Sequence, residues 1–224
     1  RLWDRGEQKE ISLATLQGVL TNEIAWHPDG NRLIAAVLRT DWAGNTLTHL
    51  VEIDTDTGAV TPLPRTDRAF SPSYDPKGER LVYLVRSGHR ITLRIRDLRT
   101  GTDVVLIDDP EITPLSVTWS PTDQQLALAV WLPGVGTAIA LCDPADGSLE
   151  PVVGGGASYQ SPGWTPDGRT LLFSSDRDGV FNVYAYELDT KKVLRLTRTL
   201  SGLFHPRLTH DNVLTASYYT SHGY

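Results

Sequence analysis

Residues 26–30 read WHPDG, and what happens to this stretch further along the chain decides the fold. It returns as YDPKG at 74–78, WSPTD at 119–123 and WTPDG at 164–168, and in altered form as LTHDN at 208–212. Aligned on Pro28, Pro76, Pro121, Pro166 and His210, the copies lie 48, 45, 45 and 44 residues apart. A period near 45 residues with strand signals marks the blades of a propeller. Proline presets φ, and Asp and Gly accept the conformations a tight turn needs, so each copy reads as the hairpin between a first and a second strand. The aromatic ahead of it (Trp26, Tyr74, Trp119 or Trp164) is expected to pack between neighbouring blades.

The segments after these turns, RLIAAVL, RLVYLV, QLALAV and TLLF, are apolar on both faces, which suits strands covered on two sides. A third strand follows. In ITLRIRDL the apolar Ile91, Leu93 and Ile95 alternate with Thr92, Arg94 and Arg96, which predicts a more exposed strand with the polar residues outward. A second turn recurs as DTDTG (54–58), DLRTG (97–101), DPADG (143–147) and ELDTK (187–191) and leads into a fourth strand such as AVTPL, DVVLI or VLRLT. The fold class is therefore all-β, a β-propeller of four-stranded antiparallel blades.

The ends complete the pattern. RLWDRGEQKEISL matches the last two strands of a blade, and the segment from Leu208 to about Tyr219 the first two. Four full blades, at about 21–65, 66–110, 111–155 and 156–200, are flanked by halves at 1–20 and 201–224. Paired halves would close a five-bladed ring and remove exposed strand edges. We expect instead a slice of a larger ring, because the chain has no methionine and starts at Arg1.

Composition narrows the partners. A formal charge of -6 offers no basic excess for a phosphate backbone, so nucleic acid is not expected. No stretch nears the roughly 18 apolar residues of a membrane helix. The single cysteine, Cys142, lies in the apolar run AIALC and reads as a buried small hydrophobe.

The combination of WTPDG, FSSDRDGVFNVYAYEL and LRLT between Trp164 and Thr197 resembles the propeller repeats of the TolB family, envelope proteins of the bacterial periplasm. The resemblance implies a periplasmic or cell-envelope location and a protein or peptide partner. The same repeat occurs in the propellers of prolyl-oligopeptidase-like and tricorn-like proteases, which implies an alternative: a propeller that gates or positions substrate for a peptidase domain outside this chain.

Within the chain no catalytic constellation is read. The nucleophile elbow Gly-x-Ser-x-Gly and the motif His-Glu-x-x-His are both absent. His205 and His210 are the closest histidine pair, and zinc needs three or four convergent ligands, so neither a metal nor a cofactor is expected. Asp54-Thr55-Asp56-Thr57-Gly58 starts like a calcium loop, but Arg65 stands where its twelfth-position glutamate belongs, and the segment reads as a hairpin turn. Asp176, Asp178 and Gly179 read as a loop cap, and Asp108-Asp109-Pro110-Glu111 as a solvated turn.

Both recurrent turns fall on one rim, so the irregular connections fall on the other. There the reading gathers Trp42, Arg68, Phe70, Arg90, Asp109, Trp131, Tyr159, Arg177 and Phe204 as partner-binding candidates, since interfaces concentrate aromatics and Arg. The competing reading is that the aromatics fill gaps between blades.

Overall fold

The computed structural model describes residues 2–4, 9–11, 19–40, 43–122 and 124–219, and no helix occurs among them. A hairpin of β1 (Leu2–Asp4) and β2 (Lys9–Ile11) comes first. The first blade follows, β3 (Val19–Trp26), β4 (Arg32–Thr40), β5 (Thr46–Asp54) and β6 (Val60–Pro62). The second holds β7 (Ala69–Tyr74), β8 (Arg80–Ser87), β9 (Arg90–Asp97) and β10 (Asp103–Ile107). The third holds β11 (Thr113–Trp119), β12 (Leu126–Leu132), β13 (Gly136–Cys142) and β14 (Leu149–Gly154). The fourth holds β15 (Tyr159–Trp164), β16 (Thr170–Ser175), β17 (Asn182–Glu187) and β18 (Lys192–Arg195). A hairpin of β19 (Leu203–Leu208) and β20 (Leu214–Tyr218) ends the order. Every blade is antiparallel in chain order, and the molecule is a β-propeller.

The first strands lie innermost and side by side, β3 on β7, β7 on β11, β11 on β15 and β15 on β19. Side-chain hydroxyls latch some of them together: Val117 N–H donates to Ser71 Oγ (3.1 Å) and Trp119 N–H to Ser73 Oγ (3.0 Å). Between blades the apolar layers alternate small with large. Ala127 and Ala129 of β12 leave room for Trp164, Leu171 and Phe173 of the next blade, as Ala36 does for Tyr74 and Tyr83. Cys142 is buried in such a layer, and its burial pushes the thiol up to about 12.

The residue ahead of each turn proline, unread in the sequence, proves to be the cap of the first turn. Asp75 Oδ1 accepts from the N–H groups of Glu79 (2.8 Å) and Arg80 (3.0 Å), Thr165 Oγ1 accepts from Thr170 N–H (3.1 Å), and His27 Nδ1 from Asp29 N–H (3.2 Å). Side chains that bond to nearby backbone are what such turns select. In the second turn Asp54 Oδ1 accepts from the N–H groups of Asp56 and Thr57 (3.1 and 2.7 Å), and Asp97 Oδ1 from Thr100 N–H (2.6 Å). These are hairpin turns by construction.

Two expectations need correction. Trp119 and Trp164 are buried between blades, but Trp26 keeps 47% of its surface exposed, because among the described residues that side of β3 faces an open cleft rather than a packed preceding blade of the kind that covers β7, β11 and β15. The third strand is not exposed either: in β9 both Thr92 and Arg96 are buried, and Arg94 is half-buried. A strand inside a blade has neighbours on both faces, so its polar residues must find partners. Arg96 does so: Nε and Nη2 fork onto Asp103 (2.9 and 2.7 Å) and Nη1 donates to Pro64 O (2.7 Å), while Tyr83 Oη–H also donates to Asp103.

Candidate functional site

The irregular rim is assembled from strand ends. Arg68 precedes β7 with φ at +65°, a left-handed conformation that an L side chain adopts at a cost of about 1 kcal/mol. Its backbone is held on both sides, donating to Thr48 O (2.6 Å) and accepting from Arg86 N–H (3.1 Å), while its side chain stays exposed. The Arg86 guanidinium lies 5.5 Å from the Phe70 ring centroid, a cation–π stack. Arg90 pairs with Asp108 at 3.4 Å. Asp109 Oδ1 caps its own turn through Glu111 N–H (2.8 Å).

These groups form one patch. A second lies at the tip of the third blade, where Trp131 (45%) and Val135 stand out into solvent. A third joins the fourth blade to the last hairpin. There Arg177 lies over Tyr184 (5.7 Å), Tyr184 Oη–H donates to Asp178 Oδ2 (2.7 Å), and Phe204 packs 4.9 Å from Phe181 beside the fully exposed Leu200. Asp176 caps through Ser158 N–H (2.7 Å). Tyr159 is not a rim group. It is buried 6.0 Å from Phe173 and its hydroxyl donates to Gly155 O, because the residue following the long loop already starts the inner strand. Trp42 lies outside the described residues. Arg86, Val135 and Leu200 were missed by the sequence reading. The first two sit at strand ends facing that rim, which strand direction alone would have shown.

The turn rim has a different character. Here the turn prolines and the aromatics before them surround the inner channel, and its mouth is a cavity of ≈ 590 Å³ lined among others by Trp26, Pro28, Pro76, Trp119, Pro121 and Pro166. Arg207 of β19 lines the same cavity and the adjoining cleft of ≈ 430 Å³, which it shares with Ile24, Trp26 and His205. Its Nη1 donates to Pro206 O (2.9 Å) and Pro162 O (3.3 Å), against Gly163, where a Cβ would come within 2.7 Å of Nη1. The side chain is open to the channel, yet the surrounding chain displaces enough water to lower its pKa. Burial, then the nearby Arg207 charge, likewise lowers the pKa of His205.

The family model described as the TolB β-propeller domain matches residues 45–221. The chain belongs to that family. TolB-family propellers of known structure superpose on it: TolB from Acinetobacter baumannii at 24% identity and TM-score 0.70, over 84% of this chain and 47% of that one. A TolB candidate from Agrobacterium tumefaciens matches at 14% identity and TM-score 0.76, over 92% and 78%. This chain thus spans about half the length of the Acinetobacter TolB. A Mycobacterium tuberculosis puromycin-hydrolyzing peptidase is similar in fold at 15% identity and TM-score 0.67, over 91% of this chain and 36% of the peptidase.

Proposed function

We propose that this TolB-family chain is a noncatalytic propeller that docks a protein or peptide partner in the bacterial cell envelope through its irregular rim. The observation that carries the reading is the exposure on that rim, in three successive patches, of the Arg68, Phe70 and Arg86 group, of Trp131 with Val135, and of Leu200. Large apolar groups and arginines at a rim are what a partner surface uses. Family membership supports the envelope setting.

A photo-reactive phenylalanine analogue placed at 68, at 131 and at 57 on the turn rim, in the full-length product in its native cells, tests it. We expect crosslinks of one defined mass from 68 and 131 and none from 57. A crosslink from 57 alone would move the partner to the other rim. The fold likeness to the mycobacterial peptidase keeps a gating role on a hydrolase as the rival reading, and an elbow motif in the flanking reading frame would favour it.

A further inference from the structure

We propose that the channel mouth on the turn rim is a second binding site, one that takes the C-terminal carboxylate of an extended peptide with apolar last residues. The carboxylate would sit on Arg207. Among the described residues this guanidinium has no acidic partner: Nη1 is held by two backbone carbonyls, which fixes its position, while Nε and Nη2 are left without a partner. A guanidinium fork that is held in place and lacks an anion matches a carboxylate in both geometry and charge. The other charged groups at this mouth do not compete for it. Asp75 is fully buried and spends Oδ2 on Arg80 Nε (3.1 Å) and Oδ1 on two backbone N–H groups, and His210 is a turn residue at the edge.

The walls set the rest of the ligand. Four turn prolines and the exposed ring of Trp26 give the mouth an apolar side, set among polar groups such as Thr118, Ser120 and Thr165, and ≈ 590 Å³ is in the range of about 300–1,000 Å³ that holds compact ligands. A chain end enters such a mouth head-on and brings one negative charge, whereas an internal acidic residue brings backbone on both sides of it. Capture of a terminal carboxylate by fixed donors is a recurring mode of peptide recognition. This site is on the opposite rim from the proposed docking surface and stands or falls separately from it.

Calorimetric titration with three N-acetylated tripeptides tests the site: Leu-Pro-Phe as the free acid, the same peptide as its C-terminal amide, and Leu-Glu-Phe amide. The free acid should bind at least about tenfold more tightly than either amide, as loss of a charge-assisted pair implies. Arg207→Gln should abolish that preference, Arg207→Lys should keep part of it, and Lys192→Ala, at an exposed cation of the outer strand β18 away from both sites, should leave it intact. If Arg207→Gln fails to fold, the acid-to-amide ratio on the unmodified protein still decides. Equal affinity for acid and amide, preference for the glutamate-containing amide, or no binding of the free acid at millimolar concentration would overturn the proposal.

Discussion

Glycine in the first turn serves two separable purposes. Gly30 and Gly78 occupy the same place in successive blades with φ of +78° and +71°. A Cβ on Gly30 would meet nothing within 4 Å, but on Gly78 it would lie 2.1 Å from His27 Nε2. The His27 ring caps its own turn, stands edge-on to Tyr74 (4.9 Å) and lies against the next blade's glycine, 3.2 Å from Gly78 O. Gly30→Ala should therefore cost only the left-handed conformation, about 1 kcal/mol. Gly78→Ala should cost more, about 2–4 kcal/mol, because the buried imidazole must also move. Urea unfolding of the two variants reads the difference. Equal costs would mean that the contact between His27 and the neighbouring turn is not made in solution.

At the scale of strands, polarity was legible and burial was not. The period, both turns and the apolar second strands could be read directly, because each depends on local chemistry. The β9 alternation misled, since period 2 tells which residues share a face and not whether that face is covered. A further signal was available: the short DLRTG turn brings Asp103 opposite Arg96 in the β9–β10 pairing, which gives the buried guanidinium its counter-ion. The rim was legible only as a list. Strand direction placed Arg68, Phe70, Arg90 and Trp131 there, but which loop residue turns inward, as Tyr159 does, depends on packing.

The Arg96–Asp103 pair yields a sharper test than the pattern that hid it. Burial would raise the pKa of Asp103, but hydrogen bonds from Arg96 and Tyr83, and the Arg96 charge, outweigh it and hold the carboxyl below its usual value. A carboxylate depressed in the folded state adds stability above its unfolded pKa of about 3.9 and loses it as pH falls through the folded value. Arg96→Ala, which strands the carboxylate, should cost about 3–5 kcal/mol at pH 7. The stability gap between the parent and Asp103→Asn should stay level above about pH 5 and narrow below about pH 4. A gap independent of pH would show that the pair is not charged in the fold. The outer strands are guarded in another way: Pro62 ends β6, Pro151 interrupts β14, and the pairings of β10 and β14 carry bulges, features that discourage edge-to-edge association.

For the molecule as a whole, stability comes from stacked blade interfaces, so a repeated residue is worth what its neighbouring blade makes of it. Trp26 and Trp164 hold the same place in the repeat, yet Trp26 is 47% exposed and Trp164 8%. Trp164 enters a layer formed with Ala127, Ala129, Ile139 and Leu141 of the preceding blade, whereas Trp26 faces the open cleft beside Arg207. Trp164→Ala should therefore cost about 3–5 kcal/mol, as truncation of a buried aromatic does, and Trp26→Ala about 1–2 kcal/mol. Denaturant midpoints of the two variants decide between this arrangement and a closed one. If Trp26→Ala were as costly as Trp164→Ala, the side of β3 that stands open would be covered in solution by another blade.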